Sequence, residues 1–147
     1  MTTITQKKPG IKPFLTGALV AGLTGAVLNN LYSYAYSAIT GFSIPQVINV
    51  GSVTMSSFGP ALLGALFYFV LSRFTSRATP IFVVAGIVLV IVSFAGSFMP
   101  QLPDGSPTPA GFAGLTLPMH IIAGGVIIWV LTRYVRRNGQ TYPHRDE

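Results

Sequence analysis

Long uncharged apolar runs alternate along the chain with short stretches of turn-forming residues. Four runs stand out: Phe14 to Ala38, Val53 to Ser72, Ile81 to Met99 and Phe112 to Thr132. Each approaches the length of about 20 residues that carries an α-helix across the hydrocarbon of a bilayer. Gly41 and Pro45 interrupt the chain after the first run, Pro80 follows the second, and Pro100, Pro103, Gly105, Pro107, Pro109 and Gly111 fill the third connection. Glycine tolerates left-handed backbone and proline lacks an amide donor, so both punctuate helices. The predicted fold class is all-α, an integral membrane four-helix bundle in a single domain over residues 1–147, with short polar tails at 1–12 and 138–147. Lysines precede the first run and Ala35-Tyr36-Ser37 resembles a cleavage site. The run nevertheless exceeds the apolar core of about 7 to 15 residues of a signal peptide, so a retained helix is expected.

Within the runs the residues sort into faces. At about 100° per residue the first places Ala18, Ala21, Gly22, Gly25, Asn29, Tyr32 and Tyr36 on one side and Val20, Leu23, Val27 and Leu31 opposite. The small and polar side is expected to face the protein, because in lipid close van der Waals packing replaces the hydrophobic drive between helices. Gly17, Ala21 and Gly25 form a small-xxx-small series there. Ser56, Ser57, Pro60, Gly64 and Tyr68 mark the expected inner face of the second run. Gly86, Ser93 and Ser97 mark that of the third, and Ala113, Thr116, His120 and Gly124 that of the fourth. Gly17, Ala21, Gly25, Gly64 and Gly124 are the expected helix-packing positions, and Pro60 and Pro118 are expected to bend their helices.

Composition agrees with lipid as the solvent. Half of the 147 residues are apolar and only 8% are charged, against about 25% in ordinary globular chains; mean hydropathy is +0.62. The net charge of +6 invites a nucleic-acid reading, but all nine basic residues (Lys7, Lys8, Lys12, Arg73, Arg77, Arg133, Arg136, Arg137 and Arg145) flank the apolar runs. That placement excludes nucleic acid as a partner and fits the positive-inside rule. The connection from Ile39 to Ser52 is uncharged and the one between the third and fourth runs carries only Asp104. Both termini are therefore expected on the cytoplasmic side. Phe67, Tyr68, Trp129 and Tyr134 fall near the inner boundary and Tyr32, Tyr34 and Tyr36 near the outer one, where amphipathic rings anchor at headgroup depth. With no cysteine, disulfides and thiol chemistry are excluded.

His120 is the one ionisable side chain other than tyrosine deep within a run, and such residues are functional candidates by default. It lies roughly 12 Å from the outer end of its helix at about 1.5 Å per residue. Asn29 falls at a similar depth on the first run, and Asn30, Ser57, Ser93 and Thr116 share the outer half. Three readings stay open. His120 hydrogen-bonds Asn29, a serine or a carbonyl and fixes helix packing; these residues line an outward-facing pocket for a small molecule or lipid; or the imidazole is an axial ligand of a haem or other pigment. His144 lies in the inner tail and cannot supply a second axial ligand. No metal site and no resident cofactor are expected. The runs hold no Asp, Glu, Lys or Arg, so a carboxylate-coupled transporter lacks its coupling residue. Paired acid and base groups, or a nucleophile with its base, are equally missing, so no enzyme is expected.

Ile44-Pro45 in the first connection, Gly59-Pro60-Ala61 in the second run, Ser93 followed by Pro100, and Leu117-Pro118-Met119-His120 in the fourth run resemble an uncharacterised family of small bacterial four-span membrane proteins, a domain of unknown function. The resemblance covers most of the chain. It implies a bacterial inner membrane as the address and carries no activity. The expected role is lateral association with membrane partners, a second copy of the chain or lipids of the bilayer.

Overall fold

Capping chemistry decides where each helix begins and stops. The structure, a computed structural model, describes residues 9–139. Among them are four α-helices: α1 Lys12–Thr40, α2 Val50–Phe74, α3 Ala78–Ser93 and α4 Phe112–Gly139. Pro13 opens α1, where its missing amide costs nothing, and Gly41 closes it in the left-handed conformation (φ 71°) with its amide donating to the Ser37 carbonyl at 2.9 Å. At α2 the Asn49 side chain accepts from the Ser52 amide at 3.0 Å while the Ser52 hydroxyl accepts from the Asn49 amide at 2.9 Å. This reciprocal box satisfies two amides that a helix start otherwise leaves open. α3 tightens into a 3-10 turn over Phe94–Phe98. Gly96 and Ser97 are weak helix formers, and Pro100 drives Met99 to an extended conformation (φ −66°, ψ 140°).

The helices overrun the apolar runs at both ends of α1 and α2 and at the far end of α4. Hydropathy marks only the apolar part of a helix, whereas backbone hydrogen bonding continues through Lys12 at one end and Arg133, Arg136 and Arg137 at the other. The expected polar tails are shortened accordingly. Lys7, Lys8, His144 and Arg145 lie outside the described residues. Pro60 and Pro118 both sit inside uninterrupted helices.

Consecutive helices run antiparallel. The 75–77 turn therefore shares one end of the bundle with the starts of α1 and the end of α4, here the terminal end. The 41–49 and 99–111 connections share the other, the loop end. α1 is the organising helix, packed along its length against both α2 and α4, while the α3 backbone lies against α2 and α4 and stays clear of that of α1. The main core cluster fills the terminal half. Phe14, fully buried, meets Tyr68 and Phe69 edge-on at 5.3 Å, and Tyr68 stacks on Phe82 at 4.5 Å. The Tyr68 hydroxyl hydrogen-bonds that of Thr79 at 2.7 Å. Tyr68 is thus a buried tie between α2 and α3 rather than the boundary anchor its position suggested, because its ring turns inward with Ala61 and Ala65. Trp129 and Phe67 remain exposed.

Small residues set the helix spacing. A methyl group on Gly22 would sit 2.6 Å from Phe58, and one on Gly17 3.1 Å from Leu131. Gly25 faces Ser57 and Gly64 faces Ile127, while Ala21 is fully buried. Between α3 and α4 the contacts step by four residues along both helices. Ile128 fills the notch at Gly86, Val90 fills the notch at Gly124, and Phe94 meets His120. The inner faces agree with expectation on α1. On α2 the buried stripe is Val53, Ser57, Ala61, Ala65 and Tyr68, with Ser56 and Pro60 turned outward. On α4 the deepest positions are Leu115 and Leu131 rather than Ala113 and His120.

The loop end is stitched by tyrosine. Tyr32 donates to the Gly114 carbonyl at 2.9 Å and Tyr36 to that of Gly111 at 3.0 Å, joining the end of α1 to the start of α4. Tyr34 alone of the three points away, 59% exposed. The 99–111 connection folds on itself: Gln101 bridges Pro107, Leu102 is buried, and Asp104 accepts from the amide and the hydroxyl of Ser106 at 3.0 and 2.6 Å. Those two bonds hold the Asp104 carboxyl below its usual range.

Candidate functional site

A hydroxyl within a helix can always bond the carbonyl one turn back, and that local option decides most of the polar cluster. Ser57 donates to the Val53 carbonyl at 2.9 Å, Ser93 to Val90 at 2.6 Å and Thr116 to Phe112 at 2.9 Å. Asn30 sends its amide to the Ala26 carbonyl at 2.8 Å. Each of these polar groups is satisfied by its own helix. No hydrogen bond joins Asn29, Asn30, Ser57, Ser93, Thr116 and His120 to one another.

Two members of the expected cluster stand apart. Asn29 is 3% exposed and its side-chain oxygen has no hydrogen-bond partner. His120 is half-buried and lies edge-on to Phe94, ring centroids 6.4 Å apart, and its imidazole makes no hydrogen bond with another of the described residues. The expected bond from His120 to Asn29, a serine or a carbonyl is therefore not made. On the α1 side Gly17 faces Leu131 and Tyr32 reaches Gly114. Interpolating between these pairs at about 1.5 Å per residue puts Asn29 within about one turn of the depth of His120. The two lie near one level but serve different interfaces, since the imidazole is turned towards the end of α3.

The structure adds Ser97 to this neighbourhood. It is 2% exposed and its hydroxyl oxygen also lacks a partner. Residues three apart in a 3-10 turn eclipse one another, so Ser97 stacks above Phe94, on the face that meets α4. The sequence signal for it was weak: Ser97 continues the small-residue stripe of Gly86 and Ser93, and although Gly96 and Pro100 mark an ending helix, they do not mark an inward turn of the Ser97 side chain. The loop half thus holds one imidazole and two buried oxygens with unused hydrogen-bonding capacity, distributed along α1, α4 and the end of α3. Such a set can accept or donate hydrogen bonds to a neutral polar molecule. Groups of three or more His, Cys, Asp or Glu that could hold a metal are absent among the described residues.

Residues 11–137 match the model of a family described as a family of unknown function (DUF6069). No curated protein and no solved structure matches the chain. Four helices are long and apolar enough to cross a membrane, by length and composition.

Proposed function

Since the chain belongs to this family of unknown function, which carries no activity to it, we propose from its geometry a non-enzymatic multi-pass membrane protein that acts by lateral association within the bilayer. The observation that carries the proposal is the loose hold on α3. Its backbone rests on α2 and α4 and stays clear of that of α1, and it buries only Ala78 and Phe82. Its other side, with Val84, Val88, Ile91 and Val92 more than half exposed, is free of polar groups. An apolar face needs no partner in lipid, but a helix held along one narrow edge can exchange lipid contacts for those of another helix at small cost. Among the described residues the one carboxylate is Asp104 in a loop.

The rival is a small-molecule or lipid site around His120, favoured by the unpaired oxygens of Asn29 and Ser97. Native mass spectrometry of the full chain, gently extracted from its own membrane, distinguishes the two. A stoichiometric protein partner or second copy, lost with Val88→Trp and kept with His120→Phe, is the expected result. A retained small molecule lost with His120→Phe would transfer the assignment to the polar site. A monomer without either would overturn both.

Orientation belongs to the same proposal. The described basic residues, Lys12, Arg73, Arg77, Arg133, Arg136 and Arg137, all stand at the terminal end, which supports a cytoplasmic assignment for that end under the positive-inside rule; the bacterial inner membrane is the address that the family resemblance implies. Because the chain has no cysteine, single replacements report cleanly. Ser106→Cys should react with an impermeant maleimide in intact cells and Ser76→Cys only after permeabilisation; the reverse pattern would invert the topology.

A further inference from the structure

The last two turns of α4 carry Trp129, Thr132, Arg133, Arg136 and Arg137, which line an open groove of about 380 Å³. At 100° per residue these positions fall on one side of the helix, opposite Ile127, Leu131 and Val135, which are buried against the bundle. The groove therefore faces away from the protein core. The Arg133 guanidinium lies over the Trp129 ring, 5.5 Å from its centroid, and Trp129 is 61% exposed. One turn further into the bundle Gly125 leaves open space, and Ile121 beyond it is exposed on the same side.

The bland account of these arginines is that positive charge belongs at this end of a membrane protein. It explains their number and not their arrangement. Arg133 and Arg136 stand three residues apart, so their Cβ atoms lie about 5 to 6 Å apart and two cations share one face, a pairing that an anion between them would relieve. Neither makes an ion pair or hydrogen bond with another of the described residues. Arg73, at the same end, is differently employed: it donates to the Pro9 carbonyl at 3.1 Å and covers the Phe69 ring at 4.6 Å. The one described carboxylate, Asp104, is at the far end of the bundle.

We propose that this groove holds the phosphate of an anionic phospholipid headgroup, gripped by Arg133 and Arg136, with an acyl chain lying along Trp129 and over Gly125. The guanidinium fork matches phosphate oxygens in pairs. The indole supplies an apolar wall at headgroup depth with one donor at its edge. The uncrowded surface at Gly125 and Ile121, on the same side of α4 one and two turns towards the apolar zone, is what assigns the phosphate to a lipid rather than to a soluble anion, because an acyl chain can lie along it. This rests on the membrane-spanning part of the function proposed above, and it names a lipid partner independently of what α3 meets.

Trp129 is the chain's one tryptophan and therefore a built-in reporter. The full chain is reconstituted in phosphatidylcholine vesicles with 30% phosphatidylglycerol, one or the other lipid being brominated on its acyl chains. Phosphatidylglycerol should be preferred over phosphatidylcholine beside Trp129 about fivefold relative to their mole ratio, the effect of roughly one interfacial arginine against an anionic headgroup. Arg133→Gln with Arg136→Gln should bring the preference to about one, whereas Arg77→Gln, at the same membrane face outside the groove, should keep it. Equal quenching by both lipids in the parent chain, or a preference unchanged in the double variant, would overturn the site. Loss of the preference to 20 mM inorganic phosphate, but not to 20 mM chloride, would reassign it to a soluble phosphate and overturn the lipid assignment. Absence of quenching by either lipid would overturn the membrane placement of α4, an outcome separate from any result on α3 association.

Discussion

Gly124→Leu is expected to destabilise the protein by about 1 to 3 kcal/mol or more, while Gly125→Leu, the next residue, stays within about 0.5 kcal/mol. Any side chain at Gly124 would occupy the volume that Val90 fills from α3, whereas at Gly125 an added carbon meets nothing within 4 Å. A tilt of α3 that relieved this notch would disturb the neighbouring contacts as well. Gly86 with Ile128 and Phe94 with His120 continue the same contact four residues to either side, so opening one notch loosens its neighbours. Titration of the purified chain from mild detergent into denaturing detergent measures both variants. Equal losses at the two glycines would show that α3 is not seated as described. In the α3-association proposal, Gly124→Leu should also change partner recovery, since it moves the helix that presents the surface.

That pair of glycines marks how far the sequence reaches. Gly124 belongs to a small-residue face that periodicity identifies, and Gly125 has the same chemistry one residue on; only the phase of the helix separates a seat from an open groove. The four runs and the inner face of α1 were legible because leucine and valine at one side and glycine and alanine at the other give an unambiguous contrast. On α2 the contrast fails, since Ser56, Ser57, Gly59 and Pro60 are all small, and the observed stripe through Val53, Ser57 and Ala61 is turned away from Ser56 and Pro60. Tyrosine posed the same difficulty at another scale. An amphipathic ring near a boundary reads as an anchor, yet Tyr32 and Tyr36 reach carbonyls of α4 and Tyr68 is buried on Phe82. The polar cluster was legible as a shared depth and no further. Whether a serine bonds its own helix or a neighbour is decided by rotamer and packing, and here Ser57, Ser93 and Thr116 bond their own.

Asn29→Leu should stabilise the chain by about 1 to 3 kcal/mol, the cost of leaving a buried acceptor unsatisfied. The replacement has a similar volume and removes the one polar atom on α1 that has lost water or headgroups without gaining a donor. Asn30→Leu is the control. It deletes an amide bonded to the Ala26 carbonyl on a half-buried side chain, and polar contacts within membrane bundles average about 0.6 kcal/mol, so a small loss is expected. The same detergent titration reads both. If Asn29→Leu destabilises instead, its oxygen is accepting a bond in the folded protein from a bound molecule, which would move the weight of the argument from α3 to the polar site shared by Asn29, Ser97 and His120. If it stabilises, the unpaired oxygen is a standing cost that packing alone does not require.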